Sequence, residues 1–98
     1  MIKGTYEKVY EFPEPADFFH VAHAGYINGE PVFLGGGRGG HEKLFYVNYD
    51  RDKKEYITNI IDSGQGPSNA CIVNYPDYDY VFAANRNTGQ AYAYKIEH

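Results

Sequence analysis

The sequence predicts an all-β domain of two four-stranded antiparallel sheets, and three observations carry that expectation. Aromatic residues make up 17% of the 98 residues, eleven of them Tyr, alongside eleven Gly and five Pro. Aromatic and β-branched side chains fit a pleated surface, and Gly and Pro punctuate it. Apolar and polar residues alternate over short runs bounded by turn signals, and the arrangement of runs and turns recurs after 49 residues, half the chain.

Alternation places eight short strands at residues 5–12, 18–26, 31–36, 42–49, 55–61, 69–75, 80–85 and 90–97. The connections carry turn chemistry. Asn28-Gly29 suits a type I′ hairpin, residues 50–54 form a charged loop, Pro76-Asp77 opens a turn and Asn87-Thr88-Gly89 closes another. Residues 14–24 (EPADFFHVAHA) also admit a helix, since a Pro stands near the start and some apolar spacing is present; two prolines and the adjacent Phe18 and Phe19 leave that segment ambiguous. A meander of antiparallel hairpins in one domain, residues 1–98, is the expected organisation.

Sliding the chain by 49 residues sets residues 19–49 on 68–98 without a gap, so that Tyr26 meets Tyr75, Val32 meets Val81, Phe33 meets Phe82 and Gly40 meets Gly89. Phe12 falls with Ile61, Phe45 with Tyr94 and Val47 with Ile96. The repeats run from about 1 to 49 and from about 50 to 98. A period of about 40–50 residues with four strands per unit is the signature of propeller blades, each a twisted sheet that cannot bury both faces alone.

The residues resemble β-propeller repeats of two kinds. Asn69-Ala70-Cys71-Ile72-Val73 followed by Tyr80-Val81-Phe82-Ala83-Ala84-Asn85-Arg86 is similar to YVTN/lactonase-like blades, and Val32-Phe33-Leu34-Gly35-Gly36-Gly37-Arg38-Gly39-Gly40 resembles VCBS/FG-GAP blades. The resemblance covers nearly the whole chain and implies two four-stranded antiparallel propeller-type blades. FG-GAP blades carry an Asp-rich calcium loop between their first two strands. Here Ile27-Asn28-Gly29-Glu30 and Asp77-Tyr78-Asp79 stand in its place, so calcium is not expected. Two blades cannot close a circle, and the expectation is a ring closed by homo-oligomerisation. A trimer would hold six blades, a tetramer eight and a pentamer ten; trimer and tetramer lead, because propellers usually have about four to eight. The second repeat has only three strands, so the strand at 5–12 is expected to supply the missing edge strand of another blade, more readily one in a neighbouring chain than in its own. A monomeric eight-stranded barrel or sandwich is the alternative way of removing exposed edges.

Composition narrows the partners. Nine Lys and Arg against thirteen Asp and Glu give a net charge of −4, which repels phosphate backbones, so no nucleic acid is expected. No apolar run approaches the ~18 residues of a spanning helix, and the start Met1-Ile2-Lys3-Gly4-Thr5-Tyr6 lacks the apolar stretch of a signal peptide; a cytoplasmic protein without membrane partners is the expectation. Cys71 is the only cysteine, which excludes an internal disulfide and a cysteine-only zinc cage.

In a four-stranded meander the loops before the first strand and between the second and third emerge at one end. That end collects residues 14–20, 35–41, 63–69 and 85–90, and with them Asp17, His20, Arg38, His41, Gln65, Asn69, Asn85, Arg86 and Asn87. Asn28-Gly29, 50–54 and 76–79 fall at the other end and read as solvated turns. Gly loops expose backbone N–H groups, Arg and Asn supply directional hydrogen bonds, and Tyr or Phe supply a stacking surface, a mixture suited to a polar, ring-bearing molecule such as a sugar. The ligand-binding candidates are Arg38, His41, Asn85, Arg86 and Asn87, with His20 and Asn69 at matching positions of the two repeats.

Other motifs carry less. Residues 35–40 fit G-x-G-x-x-G after an apolar strand, yet residues 42–47 read as strand where phosphate binding needs a helix N-terminus. Arg38-Gly39-Gly40 is one copy of an RNA-binding element that uses repeated cations. His20 and His23 share a side only in a helix, although a ring of symmetry-related His20 side chains would hold an ion. His20 or His41 with Asp17 or Glu42 makes an acid–base pair, with no Ser or Cys nucleophile in a recognisable context. Cys71 sits in an apolar strand and reads as a small core residue. The strand tyrosines (Tyr75, Tyr78, Tyr80, Tyr92, Tyr94) read as sheet packing with hydroxyls at the rim. No catalytic residue, metal or cofactor is assigned. The function expected is a ligand-binding module, lectin-like in its most concrete form. The alternatives are a propeller enzyme of lactonase, lyase or dehydratase kind with a His or metal at the channel, and a structural or protein-interaction ring.

Overall fold

The computed structural model describes residues 19–37 and 42–98, and within them the chain is all-β. Strands β1 (Phe19–Ile27), β2 (Glu30–Gly37), β3 (Leu44–Asp50) and β4 (Glu55–Asp62) form one antiparallel sheet in sequence order, and β5 (Pro67–Asn74), β6 (Tyr78–Asn85) and β7 (Gln90–Glu97) form a second. The strand expected at 5–12 lies outside the described residues, as do residues 14–18 and 38–41. From Phe19 onward the segment open to either reading is strand, so the helical spacing of His20 and His23 does not arise. Among the described residues no helix is long and apolar enough to cross a membrane.

Local chemistry sets the hairpins. Asn28 and Gly29 both take positive φ, 52° and 74°, the pair of left-handed residues that a type I′ turn requires. Asp50 Oδ1 accepts hydrogen bonds from the Asp52 and Lys53 N–H groups at 3.0 and 3.1 Å, closing the charged β3–β4 loop.

Residues opposite one another in a ladder share a face, so pairing sorts the first sheet into two sides. On the front, Val21, Gly25, Ile27, Val32, Leu34, Gly36, Leu44 and Tyr46 meet the second sheet; a Cβ added to Gly25 would lie 3.1 Å from Ile72 Cδ1, and one added to Gly36 would lie 2.9 Å from Pro67 Cγ. Val21, Ile27, Val32, Leu34 and Leu44 form the core with Ala70, Val81 and Ala83 of the second sheet, and Tyr46, Ile61, Ile72, Tyr94 and Ile96 pack around it. Phe33, Phe45, Val47 and Ile60 belong to the back of the first sheet, where Phe45 and Val47 are fully buried and Phe33 and Ile60 half exposed. The backbones of the two sheets approach most closely at β1 and β5. Further out, a wedge of about 680 Å³ opens between β4 and β7, lined by Tyr46, Asn59, Ile61, Tyr94 and Ile96.

The sheets repeat one another at an offset of 48 residues rather than 49. A register shift between Phe19 and Val21 of β1, against Gly37 and Gly36, recurs between Pro67 and Asn69 of β5, against Asn85 and Ala84. The change of one residue exchanges faces along β5 and β6 relative to β1 and β2, whereas β3 and β7 correspond at 47 residues. At 48, Leu34 corresponds to Phe82 and Phe33 to Val81, so the second sheet sets its back against the front of the first.

The two sheets are pinned at their Asn28 end by Asp79, a residue expected in a solvated turn and instead 1% exposed. Its Oδ2 accepts the Asn28 N–H at 2.8 Å, its Oδ1 accepts Asn74 Nδ2 at 2.7 Å, and His98 Nε2 lies 2.7 Å from Oδ2. Asn74 Nδ2 also donates to Tyr26 O at 2.7 Å, joining β5 to β1. Burial pushes the Asp79 carboxyl up, but the bonds from Asn74, Asn28 and His98 and the nearby His98 charge outweigh it and hold the carboxyl below its ordinary range. A carboxyl depressed in the folded state stabilises the fold above its unfolded value, about pH 4, and that contribution is lost as pH falls through the folded value. Urea midpoints followed from pH 7 down to pH 2 should fall steeply on the acid side for the parent chain and more shallowly for Asp79→Asn, which should also be less stable by about 1–3 kcal/mol at neutral pH.

Candidate functional site

The connections β2–β3, β4–β5 and β6–β7 gather at the end remote from Asp79. Arg86 N–H donates to Gly66 O at 3.1 Å, joining the last two, and Asn87 Nδ2 donates to Glu42 Oε2 at 2.7 Å, joining the β6–β7 loop to the segment ahead of β3. The β6–β7 turn closes on Asn85 O, which accepts Gly89 N–H at 2.9 Å and Thr88 Oγ1–H at 3.3 Å. Gly66 takes φ +64° directly against Asn87, whose Nδ2 would stand 2.2 Å from an added Cβ.

Asn85 ends β6 on the side that faces the first sheet. It is 1% exposed, and neither its Nδ2 nor its Oδ1 has a hydrogen-bond partner; Gln65 Oε1 is likewise sealed and unpaired. Leaving a buried amide unpaired costs about 1–3 kcal/mol per group, so buried polar atoms are nearly always answered. On β7, Tyr94 packs its ring against the core and donates its hydroxyl to Asp62 Oδ2 at 2.7 Å, as expected of a strand tyrosine with its hydroxyl at the rim. Burial first, and then the bond to Asp62, push the Tyr94 hydroxyl up to about 12. The Asn85 carboxamide is near enough to oppose that rise, but neither of its polar atoms meets the geometry of a hydrogen bond.

The structure therefore brings together Asn85, Arg86 and Asn87 of the residues singled out from the sequence, with Gln65 beside them. Arg38 and His41 lie outside the described residues. Asn69 pairs with Ala84 and turns to the opposite face of the sheet from Asn85. His20 lies on β1, and at the observed 48-residue offset its counterpart is Ser68, so His20 and Asn69 do not occupy matching positions. Asp62 and Tyr94 come to this end only through the stacking of the sheets, which no local pattern announces. Glu42 was legible as an acid in the right loop, though its role here is to hold Asn87.

At the opposite end, Tyr26, Asn28, Gly29, Asn74, Tyr75 and Pro76 form a cleft of about 440 Å³ with Asp79 and His98. A buried carboxylate aligned on an imidazole is the arrangement of a general base. Among the described residues no Ser, Thr or Cys lines that cleft. Among the described residues no group of three or more His, Cys, Asp or Glu is arranged to hold a metal ion. Comparison with protein-family models, with curated proteins and with solved structures finds no significant match.

Two glycines of the β4–β5 loop separate backbone strain from close packing. Gly64 has φ +81° with open space around it, whereas Gly66 combines positive φ with the Asn87 contact. Gly64→Ala should cost about 1 kcal/mol through φ alone, and Gly66→Ala should cost more, because Asn87 must also leave Glu42; thermal melts of the two variants, with the Asn87 amide followed by NMR, check the difference.

Proposed function

We propose that the chain is a ligand-binding module, assembled as an oligomeric β-propeller, whose loop end takes a small polar ligand such as a sugar. The observation that supports this reading is the Asn85 carboxamide at the base of the loops, with a donor and an acceptor both unanswered and the unpaired Gln65 Oε1 nearby. A hydroxyl donates and accepts at once, so a polyol can answer an amide on both sides. The Asn85 atoms are sealed from solvent, and the ligand reaches them by displacing neighbouring loop side chains. Asn87, held to Glu42 by an exposed hydrogen bond, stands among these, and its release offers further amide contacts. Arg86 is exposed on the same turn and adds a planar array of donors. In this reading Arg38 and His41 contribute from the β2–β3 connection.

A buried amide kept unpaired for a ligand has a diagnostic cost. Asn85→Val should raise the stability of the unliganded protein by about 1 kcal/mol, because it removes unpaired polar atoms from a dry site, and should abolish sugar binding. A glycan array and thermal-shift screen of the parent and Asn85→Val chains measures both. Silence across all sugars, or binding that survives Asn85→Val, contradicts the reading.

A further inference from the structure

Among the described residues, the front of the second sheet has no counterpart of the cover that protects the first. At the 48-residue offset, Gly25, Leu34 and Gly36 of the first sheet correspond to Val73, Phe82 and Ala84 of the second. The first three lie against the second sheet, whereas Val73 is 36% and Phe82 41% exposed. Phe82 and Ala84, with Cys71, Ala91 and Ala93, line an open apolar groove of about 470 Å³ on this face. A continuous apolar face of this kind marks an interaction surface.

The internal interface identifies what fits there. Ala70, Ile72 and Val81 on the back of the second sheet belong to the layer that covers the front of the first. Their counterparts on the back of the first sheet are Ala22, Ala24 and Phe33, all exposed, Phe33 by 49%. Farther out on that side Phe45 and Val47 are already buried, which leaves the β1–β2 portion as the available patch. It is the same portion at which the two sheets of one chain approach most closely. We infer that the uncovered front of the second sheet receives the β1–β2 back of a second copy of this chain, head to tail, repeating between molecules the contact made within one. Such a contact is heterologous and closes into a ring when its rotation divides the circle. The inference rests on the oligomeric reading above and deepens it by naming the two faces.

The polar pins are not repeated. The counterparts of Asn28 and Asp79 are Pro76 and Pro31, and neither supplies an N–H donor or a carboxylate. Association between copies therefore depends on apolar contact, and a charge at Phe82 should weaken it by more than about tenfold.

Cross-linking tests the faces directly. A Cβ built on Gly25 lies 3.7 Å from Ile72 Cβ, within the ~3.5–4.5 Å that a disulfide spans. The equivalent pair between copies is Val73 of one and Ala24 of the next, which lie on opposite outer sides of a single chain. In a Cys71→Ser background, Ala24→Cys with Val73→Cys should oxidise to covalent dimers and larger species, and adding Phe82→Asp should remove them while leaving circular dichroism unchanged. Gly25→Cys with Ile72→Cys should instead close within one chain, confirming the geometry from which the pair is taken. Native mass spectrometry of the parent chain provides the second readout. Oligomers with no cross-link at 24 and 73 would overturn this assignment of faces and leave the oligomeric reading standing; a parent chain that stays monomeric at micromolar concentration would overturn both.

Discussion

The close approach of β1 and β5 is the contact on which the rest of the molecule depends. It exists because Gly25 and Gly36 present no Cβ to the second sheet, so Ile72 and Pro67 settle against backbone. Interiors pack at crystal-like density, and a side chain at Gly36 would run into the Lys43 carbonyl and Pro67 and force the layers apart, whereas one at Gly25 would press on the end of Ile72. Drawing the inner strands together while β3, β4 and β7 carry Tyr46, Ile61, Tyr94 and Ile96 leaves the outer edges wedged open. The two sheets consequently splay like leaves joined near one edge. That shape buries one face of the second sheet and leaves its other face bare.

Polar groups decide the alignment of the layers. At one end Asp79 gathers Asn28, Asn74 and His98, and at the other Tyr94 reaches Asp62. Of these bonds, Asn28 to Asp79 and Tyr94 to Asp62 join the two sheets and fix how far one slides over the other, while Asn74 and His98 hold Asp79 from within its own sheet. Apolar burial supplies attraction without direction; the hydrogen bonds supply direction. Asn85 differs from all of them, because it is as deeply buried as Asp79 and, although close to the Tyr94 hydroxyl, makes no hydrogen bond of good geometry. A fold that satisfies one buried polar residue so fully and leaves another empty is locally inconsistent, and such inconsistency is where function is expected to reside.

Much of this architecture was legible along the chain. Alternation and turn chemistry located seven of the expected strands to within a few residues, and the Asn28-Gly29 hairpin has the backbone that the dipeptide implies. The sheet register was not legible. Matching Val32 with Val81 and Phe33 with Phe82 rewards chemical identity, but the ladders pair the repeats one residue earlier, and the β2–β3 connection is one residue longer than β6–β7, since Gly36 pairs Leu44 where Ala84 pairs Ala91. An ungapped comparison cannot absorb that difference. Asp79 was misplaced for a related reason. It follows a Pro-Asp turn signal, and only the stacked sheets show that its side chain points into the molecule. At the loop end, Asn85, Arg86 and Asn87 were legible from their position after an apolar strand, whereas the unpaired state of Asn85 emerges only from packing.

In the proposed assembly, a single chain covers one face of its second sheet and another molecule covers the other. Small-angle X-ray scattering of the parent chain over a wide concentration range tests this most directly. The Cα atoms of a single chain have a radius of gyration of 14.2 Å. The proposed assembly requires a value well above this at micromolar concentrations and higher, declining on dilution or in Phe82→Asp. A radius that stays at the single-chain value throughout would contradict it.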